Sequence, residues 1–192
     1  MNEKLLASVR FYFAQSVFNS RCHFIAMDRL EEKEKKLSIF IGIISAITII
    51  SLILQILGLE KNYQKIINFA AYLGLFTTAV SLIFEMFNKN DRIKEIFQHK
   101  IYAEKYKTLR DKYMGLIEEI MSSSTSEEKS RNKRDKFQNQ YSSIGEFAPG
   151  IDIIDYEQAR IGLGISKNNN KEEFTWSDSE IDKFLPKQLH LS

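Results

Sequence analysis

The chain has 192 residues, 44% hydrophobic and 27% charged, with a formal net charge of +2 and a mean hydropathy of -0.27, averages that describe a soluble protein. Two prolines and eight glycines argue against a β-sandwich or a loop-rich scaffold, and the single cysteine, Cys22, excludes an internal disulfide. The averages conceal a segregation, because residues 37–59 and 66–84 contain no Asp, Glu, Lys or Arg at all.

From Leu5 to Lys36 there is neither glycine nor proline, and Leu6, Val9, Phe13, Val17, Phe24 and Leu30 recur at near-helical intervals. The charge-dense end, Asp28 to Lys36, suits a helix running directly into a bilayer. Phe11, Tyr12 and Phe13 suit either the headgroup level or a packed core. Arg10, Gln15 and Arg21 interrupt the start of the chain before an apolar run can form, so a cleaved signal peptide is not expected.

The two charge-free runs, Leu37–Leu59 and Ile66–Phe84, would reach roughly 34 and 28 Å as helices, against a hydrocarbon core of about 30 Å. Both are long enough to span. Glu60 to Lys65 is a short connection that demands a tight antiparallel return, which leaves both chain ends on one side. Arg21, Arg29, Lys33, Lys35 and Lys36 precede the first span, and Lys89, Arg92, Lys94, Lys100 and Lys105 follow the second. Only Lys61 and Lys65 lie between. The positive-inside rule therefore puts both termini in the cytoplasm and the connecting loop outside.

On a helical wheel Ala70, Gly74, Thr77, Thr78, Ser81 and Glu85 fall within about 100° of arc, with the large apolar residues outside it. Helices in lipid associate through small residues and hydroxyls, so this face is expected to meet protein or water. In the first span Ser38, Gly42, Ser45 and Ala46 share one side of the inner half, and Thr48, Ser51, Gln55 and Gly58 another side of the outer half. These stripes suit packing of the two spans on each other. They equally suit self-assembly of several copies around a polar lining, which two spans alone cannot enclose.

After the second span, Tyr102, Tyr106, Leu109, Tyr113, Leu116 and Ile120 alternate at four and three residues. That is a heptad seam, expected to pair with the helix before the first span or with a second copy. Ser122 to Ser126 breaks the pattern. Lys129, Arg131, Lys133, Arg134 and Lys136 then stand among Glu127, Glu128 and Asp135; interleaved acids and missing aromatics favour a solvated helix face over direct nucleic-acid binding. Residues 122–192 hold 10 Lys and Arg against 12 Asp and Glu. Short helices are expected there, Tyr156–Leu163 capped by Asp155 and ended by Gly164, and Asp178–Phe184 capped by Ser177, with Asn168–Asn170 a loop. Trp176, near Phe174, reads as an anchor onto the preceding helices.

The organisation expected is all-α: a cytoplasmic helix over 1–36, a two-transmembrane hairpin over 37–85, a long cytoplasmic helix over 86–121, and a linker with short helices over 122–192. No catalytic, metal or cofactor constellation is recognisable. Cys22 and His23 are neighbours and point about 100° apart on a helix, and His99 and His190 stand alone in the sequence. Gly162-Leu163-Gly164 lacks the setting of a dinucleotide loop, and neither a P-loop nor a nucleophile elbow occurs. An enzyme is not expected.

Arg21, Ala26 and Arg29-Leu30 in the first helix, two spans joined by a tight turn, and a long following helix with Ala103, Tyr106, Leu109, Tyr113 and Glu118-Glu119-Ile120 resemble the SLATT family of bacterial two-transmembrane proteins. Asp155-Tyr156-Glu157-Gln158-Ala159 looks like a short helix of some members, and the likeness covers roughly residues 5 to 165. The resemblance implies a membrane effector of antiphage conflict systems, encoded beside a nucleotide-signal synthase, a nucleotide sensor or a reverse transcriptase. It further implies homo-oligomers that breach the inner membrane on activation and stop the infected cell, with no ligand-binding residues carried over. A non-conducting scaffold that recruits a cytoplasmic partner through the Tyr102–Ile120 seam is the other reading.

Overall fold

The structure, a computed structural model, describes residues 3–56, 63–165 and 176–191; within these the side chains of 84, 85, 87 and 88 lie outside the description. All regular elements among the described residues are helical, as the sequence predicts. They are α1 (Glu3–Ile56), α2 (Gln64–Met121), α3 (Glu127–Phe147), α4 (Ile153–Gly162), α5 (Asp178–Asp182) and a 3₁₀ turn at Lys187–Leu189. Neither α1 nor α2 contains a proline, so nothing breaks the i to i−4 ladder at residue 36 or 85.

The ends of the shorter helices follow from local chemistry. α2 stops in a Schellman motif, with Ser124 N–H donating to the Glu119 carbonyl (3.1 Å) and Ser123 N–H to that of Ile120 (3.3 Å). This geometry forces Ser123 to φ 53, a left-handed conformation that favours glycine. α4 ends in the same way, with Gly164 at φ 64. Ala148, before Pro149, is extended and stops α3. Ser177 and Glu180 form a reciprocal capping box on α5.

Two expectations are corrected. Asp152, not Asp155, caps α4, its carboxylate accepting from Ile154 N–H; Asp155 is fully buried inside the helix. α5 ends at Asp182, two residues before the expected Phe184. The stretch Glu60–Asn62, the loop Asn168–Asn170 and Phe174 lie outside the described residues.

The chain divides into two compact units, Met1–Met27 with Phe97–Ser192, and Asp28–Ile96. The first is built as proteins in water are built. Leu5, Leu6, Val9, Phe13 and Ala14 of α1 close on Leu109, Tyr113, Leu116, Ile117 and Ile120 of α2, with Ile181 and Leu185 sealing one side. Tyr12 stacks on Tyr113 at 6.0 Å, and Ser20 donates to the Ala103 carbonyl at 3.0 Å, so the two helices run antiparallel. A smaller cluster joins Phe18, Cys22 and Ile25 to Ala159 and Ile165, with Trp176 packed against it. Of the three adjacent aromatic residues in α1, Phe13 is buried and Phe11 exposed, while the Tyr12 hydroxyl accepts from Gln138 at 2.7 Å.

The second unit is a helix pair of the opposite character. Glu34 receives the Arg92 guanidinium at 2.6 Å, Thr48 meets Thr78 at 3.2 Å and Gln55 donates to Asn68 at 3.0 Å. Partners advance along α1 as they retreat along α2, which makes this pair antiparallel too. Ile39, Phe40, Ile43, Ile47, Ile50 and Ile53 of α1, and Phe69, Leu73, Phe76, Val80 and Ile83 of α2, are all exposed. Only 11% and 6% of the two most apolar windows are buried, so these helices are not the interior of a water-soluble core.

Candidate functional site

The features that set this protein apart are the polar contact within the helix pair and a polar constellation inside the first unit. In the pair, Gly74 lets the backbones approach: a Cβ there would lie 2.5 Å from Thr48 Oγ1, closer than real Cβ atoms come, and a tight 3.2 Å from Thr48 Cβ. Thr48 donates its hydroxyl proton to the Ile44 carbonyl at 2.8 Å. The 3.2 Å contact with Thr78 therefore takes its proton from Thr78. At the far end Asn68 Oδ1 accepts from Gln55 (3.0 Å) and Gln64 (3.3 Å). Thr77 returns its hydroxyl to the Leu73 and Gly74 carbonyls of its own helix, both at 3.0 Å. These hydroxyls are satisfied without water, as hydrocarbon requires.

The residues singled out by the sequence divide accordingly. Gly74 and Thr78 face α1, Ala70, Thr77 and Ser81 are half-buried, and Ala71, not singled out, is buried. On α1 Ser45 is half-buried and Thr48 buried, whereas Gly42 is exposed, and a methyl group added there would meet nothing within 4 Å. The Glu85 side chain lies outside the described residues. In the seam Tyr106, Leu109, Tyr113, Leu116 and Ile120 are buried; Tyr102 is half-buried, with the Lys105 ammonium 4.5 Å from its ring centroid.

Two interior polar contacts escaped the sequence reading. His23 and His99, read as separate residues, are both buried and meet Nδ1 to Nδ1 at 3.0 Å. The Tyr106 ring lies parallel over His23 at 5.7 Å. One imidazole must donate and the other accept. Burial, followed by repulsion from His99, pushes the His23 pKa down to about 4. The clue was available: His23 stands fourteen residues before Leu37 and His99 fifteen after Phe84 on helices that pair. Burial, then the charge of Asp155, pushes the Cys22 thiol up to about 12, leaving an inert packing residue.

Arg10 is the second. Its side chain is wholly buried, Nη2 meets Asp182 Oδ1 at 2.5 Å and Asp178 Oδ1 at 3.3 Å, and Nη1 donates to the Leu189 carbonyl at 3.1 Å. Asp182 also accepts from Leu191 N–H at 3.2 Å. The pair ties the C-terminal segment to the start of α1 across 172 positions, a separation at which sequence carries no signal. Trp176 joins the same attachment, its ring edge-on to Phe18 at 6.0 Å. Among the described residues no three of His, Cys, Asp and Glu gather as a metal set would.

Two bilayer-length helices with exposed apolar sides, continuous with helices that close a water-type core, define a two-helix membrane protein with a polar module. The sequence matches the model of SMODS and SLOG-associating 2TM effector domain family 4 over residues 5–180, and the chain belongs to that family. The match runs past the region of the expected likeness to take in Trp176 and Ser177. No curated protein and no solved structure matches it. Membership gives the apolar helices their role as the two transmembrane segments and makes the protein a membrane effector of the kind associated with defence systems.

Proposed function

We propose that this effector is held silent in the bacterial inner membrane, both termini cytoplasmic, until a defence signal makes several copies assemble through their transmembrane helices and permeabilise the membrane, killing or arresting the infected cell. The observation that carries the reading is the inward-turned polar contact of Gly74, Thr48 and Thr78 between helices whose apolar sides are exposed. Within one copy the Thr48 and Thr78 hydroxyls are engaged with each other and with the Ile44 carbonyl. Conduction requires additional copies and a repacking that turns Thr77, Thr78 and Ser81 toward a shared axis. α1 and α2 continue unbroken from one unit into the other, which supplies a helical connection for a cytoplasmic signal. The action is physical and needs no catalytic residue. The activating partner belongs with nucleotide-signal synthases, nucleotide sensors or reverse transcriptases encoded alongside.

Induced expression of the chain with its activating neighbours, read with a membrane-potential dye, tests this. Depolarisation that Gly74→Leu or Thr78→Leu abolishes is expected. Intact potential throughout growth arrest contradicts it. The satisfied Thr48 and Thr78 hydroxyls favour one second reading, a non-conducting scaffold in which the transmembrane helices only anchor a recruiting bundle. Replacing both helices with an unrelated two-span anchor preserves function in that case alone.

A further inference from the structure

At the charged end of the second unit a groove of about 400 Å³ opens between α1 and α2, a volume within the range of small-ligand sites, about 300–1,000 Å³. Its lining changes in character along the helix axes. Phe40, exposed, and Leu37, half-buried, form the inner end on the first turns of the charge-free run of α1. Lys36 and Lys33 come next, one turn apart on α1, and both are exposed. At that level Arg92 of α2 closes on Glu34 of α1 at 2.6 Å, so these two charges are spent on holding the helices together. Glu95 stands one turn beyond Arg92, about 4.5 Å farther from the apolar segments, and is exposed. Leu30 and Ile96, both half-buried, back the outer end from between the helices.

The exposed lining therefore runs from apolar to cationic to acidic on leaving the bilayer. Among the described residues no ion pair engages Lys33 or Glu95. Lys36 meets Glu32 at 2.7 Å with both side chains exposed, a kind of pair worth little. Each lipid headgroup class meets this order differently. An anionic headgroup suits the two lysines and leaves Glu95 beside its negative charge. Phosphatidylcholine suits the lysines as well, but its quaternary ammonium has no N–H to donate. A primary ammonium has three, and its hydrogen bond to a carboxylate is charge-assisted. We infer that the groove holds the headgroup of one phosphatidylethanolamine, its phosphate accepting from Lys33 and Lys36, its ammonium donating to Glu95, and its acyl chains lying along Phe40, Ile43 and Ile47, which are exposed in succession on α1. The lipid then lies against both helices at the level where Glu34 and Arg92 join them. Such a site needs the two helices to span a bilayer, and it needs neither assembly nor permeabilisation.

The full chain, extracted from membranes in mild detergent, is mixed with phosphatidylethanolamine, phosphatidylcholine and phosphatidylglycerol of identical acyl chains, and the lipid it retains is read by native mass spectrometry. Phosphatidylethanolamine is expected to be retained over each of the others by about threefold, what an exposed ion pair supplies. Glu95→Gln is expected to erase the preference over phosphatidylcholine with an unchanged melting temperature. Changing Lys33 and Lys36 together to Gln is expected to lower retention of all three lipids, while Lys94→Gln, an exposed cation of α2 outside the groove, leaves retention as it was. Equal retention of phosphatidylethanolamine and phosphatidylcholine, or a preference that survives Glu95→Gln, overturns the site. Stronger retention of phosphatidylglycerol assigns the groove to an anionic lipid and equally overturns the proposal. Displacement of the lipid by water-soluble glycerophosphoethanolamine at matching concentration shows a headgroup site without acyl contact and overturns the lipid as its occupant. All of these outcomes concern which headgroup is held, so the failure of this site leaves insertion and permeabilisation to their own tests.

Discussion

The same two helices are assembled by opposite rules in the two units. Between residues 5 and 14 of α1 and 109 and 120 of α2, large apolar side chains are inside, and burying them drives association in water. Between residues 34 and 55 and their partners on α2, isoleucine, leucine and phenylalanine are outside, and the contact is made by Gly74, two threonines and a Gln–Asn pair. Lipid cannot reward apolar burial, so close backbone approach and a few hydrogen bonds must do the pairing. The lesson is that the solvent, not the helix, decides which residues form the interface.

The largest test of that contrast falls on the watery side. Asp182→Ala leaves the buried Arg10 guanidinium only the more distant, exposed Asp178 carboxylate, and removing one partner of a buried pair costs about 3–5 kcal/mol. Thermal unfolding of the first unit's core is expected to shift down by roughly 10 °C, with crosslinking of Thr48→Cys to Thr78→Cys unchanged. Gly74→Leu is the converse. Its side chain meets Thr48, an overpacking cost of about 1–3 kcal/mol, so it should abolish that crosslink in native membranes and leave the core's melting alone.

Those two sites also measure what sequence can reveal. The spans were legible because an absence of charge over twenty residues has few other meanings. The seam was legible because Tyr106, Leu109, Tyr113, Leu116 and Ile120 keep their heptad through nearly three repeats. The wheel grouped Gly74 with Thr77 and Thr78, but an arc of a helix does not say which neighbour it meets. Gly42 was grouped with Ser45 and is instead open. The start of α4 was misplaced because Asp152 and Asp155 are equally good caps one turn apart, and only tertiary burial decides between them. Arg10 and Asp182 are joined by folding alone.

A pH titration sharpens the comparison further, since the histidine pair lies in the first unit. His23 binds its proton near 6.5 when unfolded and near 4 when folded. The unfolded chain therefore holds more protons between these values, and stability falls as pH drops from about 6.5 toward 4. The loss is on the order of 3 kcal/mol for His23. Denaturant unfolding at stepped pH should show it, and His23→Gln should flatten the dependence while lowering stability overall.

Two smaller effects complete the series. Ser123→Gly relieves a left-handed residue at the α2 terminus and is expected to raise the core's stability by about 1 kcal/mol, read as a higher denaturant midpoint. Thr78→Val removes one interhelical hydrogen bond in lipid, for which about 0.6 kcal/mol is typical. It should lower association of the helix pair slightly, well below the effect of Gly74→Leu in the same crosslinking assay.

The inverted interface has meaning only if residues 37–56 and 66–83 are in hydrocarbon, and alkaline carbonate extraction of membranes carrying the untagged chain tests this most directly. The polypeptide is expected wholly in the pellet and released only by detergent. Recovery in the aqueous supernatant would contradict the account, because a soluble protein cannot leave both of those apolar surfaces exposed to water.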